Sequence, residues 1–364
     1  SLGIASVEVT KGFCGLDLLS TDVWKKAYND SKNPHFYVFG GGYGAYTSVE
    51  ATKVNVAVNE YTSEGATTDM QLAKPAGLTF NAKSNAPRKR ITSGEGTDNA
   101  TIGVYDNSYG IPDYTVLGVL GGGYAGLVIG DTDVKVGGNT YMHRVYGGGY
   151  GQLEAYTELQ QGAAIYEGKT RENLGEVGGN ATVLTDGGYI YGDVFGGGAG
   201  VESAKLSGNT YTDFKDIGRV VGTTSVTISG NTQIFGSVYG GGDVANVGVE
   251  NTPATNEPES RSIFDVEDMF INRKRYEYAN AQSFVNVIGG DIFGEVFAGG
   301  NGRMKSEASD YTTLGRVEGN TLVHVADDAL ADGSTIVPTI WNRIFGGCSY
   351  GTVNGNTLVH IEGG

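Results

Sequence analysis

The sequence predicts an all-β chain, a right-handed parallel β-helix (a β-solenoid) with long loop insertions, and three observations carry that prediction. Glycine supplies 61 of the 364 residues. It mostly sits in clusters after short runs of Val, Ile, Phe and Tyr, as expected where each strand ends in a turn that needs positive φ or close backbone approach. A nine-residue element recurs along the chain, and a second element built on Gly-Asn-Thr alternates with it. With only 7 prolines and a hydrophobic fraction of 39%, the chain is neither collagen nor a disordered Pro/Gly tract.

The first element reads Ile190-Tyr191-Gly192-Asp193-Val194-Phe195-Gly196-Gly197-Gly198. It returns as Ile234-Phe235-Gly236-Ser237-Val238-Tyr239-Gly240-Gly241-Gly242 and as Ile292-Phe293-Gly294-Glu295-Val296-Phe297-Ala298-Gly299-Gly300. Weaker versions run from Phe36 to Gly42, Val116 to Gly123, Tyr141 to Gly149 and Ile340 to Cys348. The second element heads an alternating strand in Gly319-Asn320-Thr321-Leu322-Val323-His324-Val325 and Gly355-Asn356-Thr357-Leu358-Val359-His360-Ile361. Its other copies lie at Gly138, Gly208 and Gly230 and, as Gly-Asn-Ala, at Gly179. The glycine clusters starting at Gly121, Gly147, Gly196 and Gly240 are 26, 49 and 44 residues apart, which suggests one or two turns of roughly 20 to 25 residues with loops inserted. A unit this short cannot bury its own apolar face and must stack on its neighbours, as a parallel solenoid does. A barrel or sandwich would need hairpin turns and no recurring residue at each turn. The recurrent Asn suits a position where stacked amides bond from turn to turn.

Residues 1–35 read as a lead-in or cap, with some helical character at 17–33, and 36–364 as a single β-helix domain that continues beyond 364. Insertions are expected near 45–115, 152–178, 249–285 and 325–338, where the motif fades.

Strand residues alternate between faces, so Ile, Gly and Val of the first element share the inner side. The residue between Gly and Val is Asp193, Ser237, Glu295, Arg144 or Arg343 in different copies, which marks the other side as wet. The aromatics on that side form two rows: Tyr191, Phe235, Phe293 and Trp341 in one, and Tyr146, Phe195, Tyr239, Phe297 and Phe345 in the other. An exposed ladder of this kind would stack against sugar rings or dock a protein segment, so Tyr191, Phe195, Phe235, Tyr239, Phe293, Phe297, Trp341 and Phe345 are the candidate ligand-facing residues. The alternative arrangement has an insertion covering the rings, or a break in alternation near the glycines that turns them inward. His143 and Asn342 fall in the inner set and do not fit the simple parity.

The net charge of −16 disfavours nucleic acid, because phosphate binding needs clustered cations. The basic runs Arg88-Lys89-Arg90 and Arg273-Lys274-Arg275 read as loop charge. Cys14 and Cys348 form neither a metal pattern nor a disulfide framework. No apolar run is long enough to cross a membrane. Candidate catalytic acids are Asp327-Asp328 and the group Asp213, Lys215, Asp216 and Arg219. Both lie in loop-like sequence, and 41 acidic residues make chance pairs common. Asp131-Thr132-Asp133 is too short to specify calcium. Among His35, His143, His324 and His360, the last two occupy equivalent strand positions, which suggests packing and not metal ligation. The Gly-Gly-Gly runs lack the Lys-Ser/Thr of a phosphate loop. No metal or cofactor is expected.

The pairing of Gly-Asn-Thr-x-Val-x-Ile with Ile-Phe-Gly-x-Val-Tyr-Gly-Gly-Gly resembles the glycine-rich repeats of large adhesin-like surface proteins of Bacteroidetes and other bacteria. The resemblance implies a secreted, cell-surface β-helix with an adhesive or structural role, binding a glycan or partner protein through its lateral face and loops, and open to self-assembly. A polysaccharide lyase or glycoside hydrolase, and a phage or filament component, are the alternatives.

Overall fold

The computed structural model describes residues 3–11, 37–44, 47–60, 116–151, 173–201, 205–206, 210–211, 216–249, 281–303, 314–330 and 332–364. Every regular element among them is a β-strand, and 17 strands join in one sheet through parallel pairings. The chain is thus a parallel β-solenoid whose coils each pass through three faces.

The first face carries the long strands. Ile4–Lys11, Ala51–Glu60, the start of Thr132–Tyr146, Ala181–Ile190, Thr224–Ser229, Ala281–Val287, Asn320–Val325 and Thr357–Ile361 follow one another in parallel register. On the second face lie Tyr37–Phe39, Val116–Leu120, the end of Thr132–Tyr146, and then the paired dipeptides Val194–Phe195, Val238–Tyr239, Val296–Phe297 and Ile344–Phe345. The third face is held by single bridges in two columns. One runs Tyr43, Tyr124, Tyr150, Ala199, Asp243, Asn301, Ser349, and the other Val128, Val177, Val220, Val247, Val317, Val353.

In-register stacking places like residues above one another, so each inward position becomes a column. Val134, Val183, Val226, Val285 and Val323 form one on the first face, and Val145, Val194, Val238 and Val296 another on the second, all in one buried core with Met142, Ile190, Ile234 and Ile292. β-Branched side chains suit such stacking because they pack well on a pleated surface. The expected inner set of Ile and Val is what the core contains.

One buried polar column crosses this core. Thr52 and Thr132 donate their hydroxyls to the carbonyls of Gly121 (2.5 Å) and Gly147 (2.7 Å), Ser283 donates to Ala298 (2.5 Å), and Thr321 to Gly346. Each bond ties the start of a long strand to the glycine corner and satisfies a carbonyl that water cannot reach. At that corner the coils approach so closely that a Cβ on Gly197 would lie 2.7 Å from the backbone nitrogen of Gly242. The second glycine of the cluster is therefore conformationally ordinary but sterically required.

Three expectations change. Each glycine-cluster interval is a single turn, since Gly121, Gly147, Gly196 and Gly240 bond successively to the carbonyls of Tyr146, Phe195, Tyr239 and Phe297; the 49- and 44-residue intervals hold insertions, not second turns. The solenoid begins inside the supposed lead-in, because Ile4–Lys11 pairs with Ala51–Glu60; residues 17–33 lie outside the described set. The insertions are narrower than expected, with 47–60, 173–178 and 281–285 belonging to the coils. Near 325–338 the chain does leave the coil, as an antiparallel pair of Asp328–Ala329 with Thr335–Ile336.

Among the described residues the Gly-Asn-Thr copies divide into two kinds; Gly208-Asn209 lies outside them. Before the long strand, Asn180 and Asn320 accept from the backbone N–H of the equivalent residue's neighbourhood one coil on, Thr223 (2.8 Å) and Asn356 (3.0 Å). The ladder is thus amide oxygen to backbone, in place of the amide-to-amide stack expected. After the long strand, Thr140 and Thr232 instead turn back on the carbonyls of Gly137 and Ser229, both at 2.8 Å.

Candidate functional site

The two aromatic rows exist, and their geometry follows from the coil spacing. Tyr146, Phe195, Tyr239, Phe297 and Phe345 stack with ring centroids 4.9, 4.9, 5.0 and 4.8 Å apart and nearly parallel planes. These separations match the ~4.8 Å between strands, so each ring lies directly over the one before. Tyr191, Phe235, Phe293 and Trp341 stack at 5.3, 5.0 and 5.9 Å.

Their environment differs from the expected open ladder. Tyr191, Phe195, Phe235, Tyr239, Phe293 and Phe297 are buried, Trp341 is half-buried, and only Phe345 reaches 36% exposure. The second row lies where the Gly-Gly-Gly corner turns the second face toward the third. There its rings join one apolar cluster with Ala199 and, at its edge, Tyr37, Phe39 and Tyr150. A neighbouring face has closed over side chains that point away from the main core.

His143 belongs to the first row. Met142 pairs with Ile190 but Val145 pairs with Val194, so this coil is one residue shorter between the two points and His143 aligns with Tyr191. The irregular parity at His143 is this one-residue shift, whereas Asn342 stays in register at the position of Gly294. Burial, with the Arg144 charge adding to it, lowers the His143 pKa to about 3.

The polar row lies beside the aromatics but is drier than expected: Ser237 is buried and Asp193 and Glu295 are only partly exposed. Backbone bonds carry it from coil to coil through Asp193, Ser237, Glu295 and Arg343, and its side chains knit the same coils together. Asp193 accepts from the Ser237 N–H (2.8 Å), the Ser237 hydroxyl from the Glu295 N–H (3.0 Å), and Arg343 pairs with Glu295. Burial raises the Asp193 carboxyl, against the opposing pull of Arg144 and the Ser237 N–H. Across the corner, Arg144 reaches from the second face toward Asp243 on the third at 3.8 Å, and its Nη1 donates to the Tyr146 hydroxyl at 3.4 Å. Asp243 also holds Asn301 (3.1 Å) and Arg303 (3.3 Å). Burial pushes the Tyr146 and Tyr150 phenols above their ordinary values, so both stay neutral. The result is a polar strip of guanidinium, carboxylate and carboxamide lying along a buried aromatic floor.

The other candidates are dispersed. Arg219 is held by Glu176 (2.9 and 2.6 Å) and by Asp216, a contact that braces the third corner; Asp213 and Lys215 lie outside the described residues. Asp327 accepts from the Gly364 N–H (2.9 Å), and Asp328 opens the hairpin. Asp131 caps the next coil through the Asn180 N–H (2.7 Å), Thr132 is in the core and Asp133 is exposed. His324 and His360 are direct cross-strand partners, with His324 Nδ1 against Asn286 at 2.9 Å; His35 lies outside the described residues. Burial pushes the Cys348 thiol up to about 11, which leaves it unreactive at neutral pH, and Cys14 is outside the described set. Among the described residues no group of three His, Cys, Asp or Glu is placed to hold a metal ion, and no helix is long and apolar enough to cross a membrane.

The third corner was missed in the sequence. Leu174-Gly175, Ile217-Gly218 and Leu314-Gly315 turn there with glycine φ of 69°, 69° and 66°, each followed two residues later by a valine of the third-face column. The pattern Leu/Ile-Gly-x-Val was its signal. These features define a repeat scaffold with a lateral polar strip. Compared with family models, curated proteins and solved structures, the chain matches none.

Proposed function

We propose that this chain is a non-enzymatic, adhesive or structural segment of an extracellular or bacterial cell-surface protein, coiled right-handedly, that binds a glycan or a partner protein through its lateral strip and loops. The observation that carries this reading is where the aromatic rows are used. They are spent on stacking coil upon coil, which makes a stiff rod, while the exposed chemistry is left to polar side chains and to the points where the chain leaves the coil. At the same corner three coils carry inserted sequence, between Gly151 and Asn173, between Val201 and Asp216, and between Arg303 and Leu314. A rod with inserted sequence recurring along one edge is suited to presentation. Each strip carboxylate is engaged by an N–H or a guanidinium, an arrangement that favours binding over general acid and base work. The glycine-rich resemblance supports a surface location, and the hand follows the preference of about 98% of parallel crossover connections.

A glycan-array screen, run beside incubation of the same glycans and analysis of their chain ends, tests the reading. Binding without cleavage is the expected result. New chain ends would overturn it in favour of a lyase or hydrolase.

A further inference from the structure

We propose that the strip around Arg144, Asp243, Asn301 and Arg303 binds a neutral, extended polysaccharide, an inference that rests on the adhesive reading and names its ligand. The four residues lie in the middle of the solenoid, on the two sides of the glycine corner, and their exposure owes nothing to either end of the chain. The side chains of Arg144 and Arg303 are 39% and 35% exposed, that of Asp243 13%.

Arg144 is incompletely satisfied. Its bond to the Tyr146 hydroxyl is long at 3.4 Å, and Asp243 stands at 3.8 Å from its Nη1, beyond hydrogen-bond reach. A guanidinium with contacts this long, and a side chain this exposed, keeps donors for a further acceptor. Asp243 faces Arg144. Its Oδ1 takes Asn301 and Arg303, while the oxygen turned to Arg144 is its Oδ2. An oxygen seated beside the pair, on its solvent side, accepts from Arg144, and a hydroxyl seated there also donates to Asp243.

Charge selects among ligands. The molecule carries −16 overall, yet in this strip Arg144 and Arg303 balance Asp193 and Asp243. Such a patch draws neither a polyanion nor a polycation over long range. It offers a planar fork of donors, a carboxylate and a carboxamide side by side, which matches groups that donate and accept at once. Sugar hydroxyls do both. Because the coils repeat every ~4.8 Å, the strip continues along the rod through Glu295 and Arg343, and suits an extended chain more than a compact ligand.

The test is affinity electrophoresis of the full chain through gels containing a neutral β-glucan or mannan, with polygalacturonate as a separate arm. The neutral polymer should retard the protein. Arg144→Lys, which keeps the charge and removes the fork, and Asn301→Ala should each weaken retardation at least tenfold with the melting temperature unchanged. Lys135→Gln, on the outer side of the first face, should leave it as in the parent. Unchanged retardation in both site variants would overturn this site while the adhesive reading stands. Retardation by polygalacturonate alone would overturn the neutral ligand. If no polysaccharide retards the parent protein, the inference fails, and a positive array screen against protein partners would still uphold the adhesive reading.

Discussion

Replacing Phe195 by alanine separates a structural aromatic row from a ligand-facing one. Phe195 is fully buried and stacks on Tyr146 and Tyr239 at 4.9 Å on either side. Truncating a buried Phe costs about 3–5 kcal/mol in lost transfer energy and cavity, and two ring pairs add about 0.5–1.5 kcal/mol each. The expected loss is about 4–8 kcal/mol. Phe345, in the same column, stacks on Phe297 alone and is 36% exposed, so Phe345→Ala should cost only about 1–2 kcal/mol. Both variants delete the same atoms, which cancels most effects on the unfolded chain. Urea unfolding followed by far-ultraviolet circular dichroism measures the difference. Equal losses, or a Phe195→Ala protein within about 1 kcal/mol of the parent that has lost glycan binding, would refute the structural role.

Two further predictions test the interior. Thr132→Val removes a buried hydroxyl bonded to the Gly147 carbonyl and should cost about 1–3 kcal/mol. Thr224→Val, at the equivalent position where the buried hydroxyl has no partner, should be neutral or stabilising in the same assay. His143 makes stability depend on pH. Its pKa is about 3 in the fold against an ordinary 6.5, so between those values the unfolded chain binds the extra proton. The contribution is full above pH ~6.5 and is lost by about 1.4 kcal/mol per unit as the pH falls toward 3. His143→Gln should flatten the urea midpoint against pH over that window, and parallel curves would show that His143 is not buried neutral.

Much of this architecture was legible in the chain. The Ile and Val of the repeated element form the core, and Arg144, Asp193, Ser237, Glu295 and Arg343 lie on the opposite side, because alternation of side chains is a local property of the extended backbone. The stacking of Tyr191 under Phe235, and of Phe195 under Tyr239, follows equally from recurrence, since parallel in-register coils superpose equivalent residues. Less legible was the Gly-Asn-Thr tripeptide, which serves two corners. The same three residues cap the next coil at Asn180-type positions and close a turn at Thr140 and Thr232, and nothing local distinguishes them.

Arg144, Asp243 and Arg303 were also beyond sequence reading as a group, since they come from three coils and two faces. The sequence by itself determined the period, the parallel stacking and which residues face the main core, all consequences of strand alternation and of repeats that cannot stand alone. Only the tertiary structure decided that the outward aromatics are buried, that His143 shares their column, and that a polar strip lies beside them. Those outcomes depend on the angle at which the third face turns back at the Gly-Gly-Gly corner and on a one-residue change of register, and both are settled by packing between segments distant in the chain.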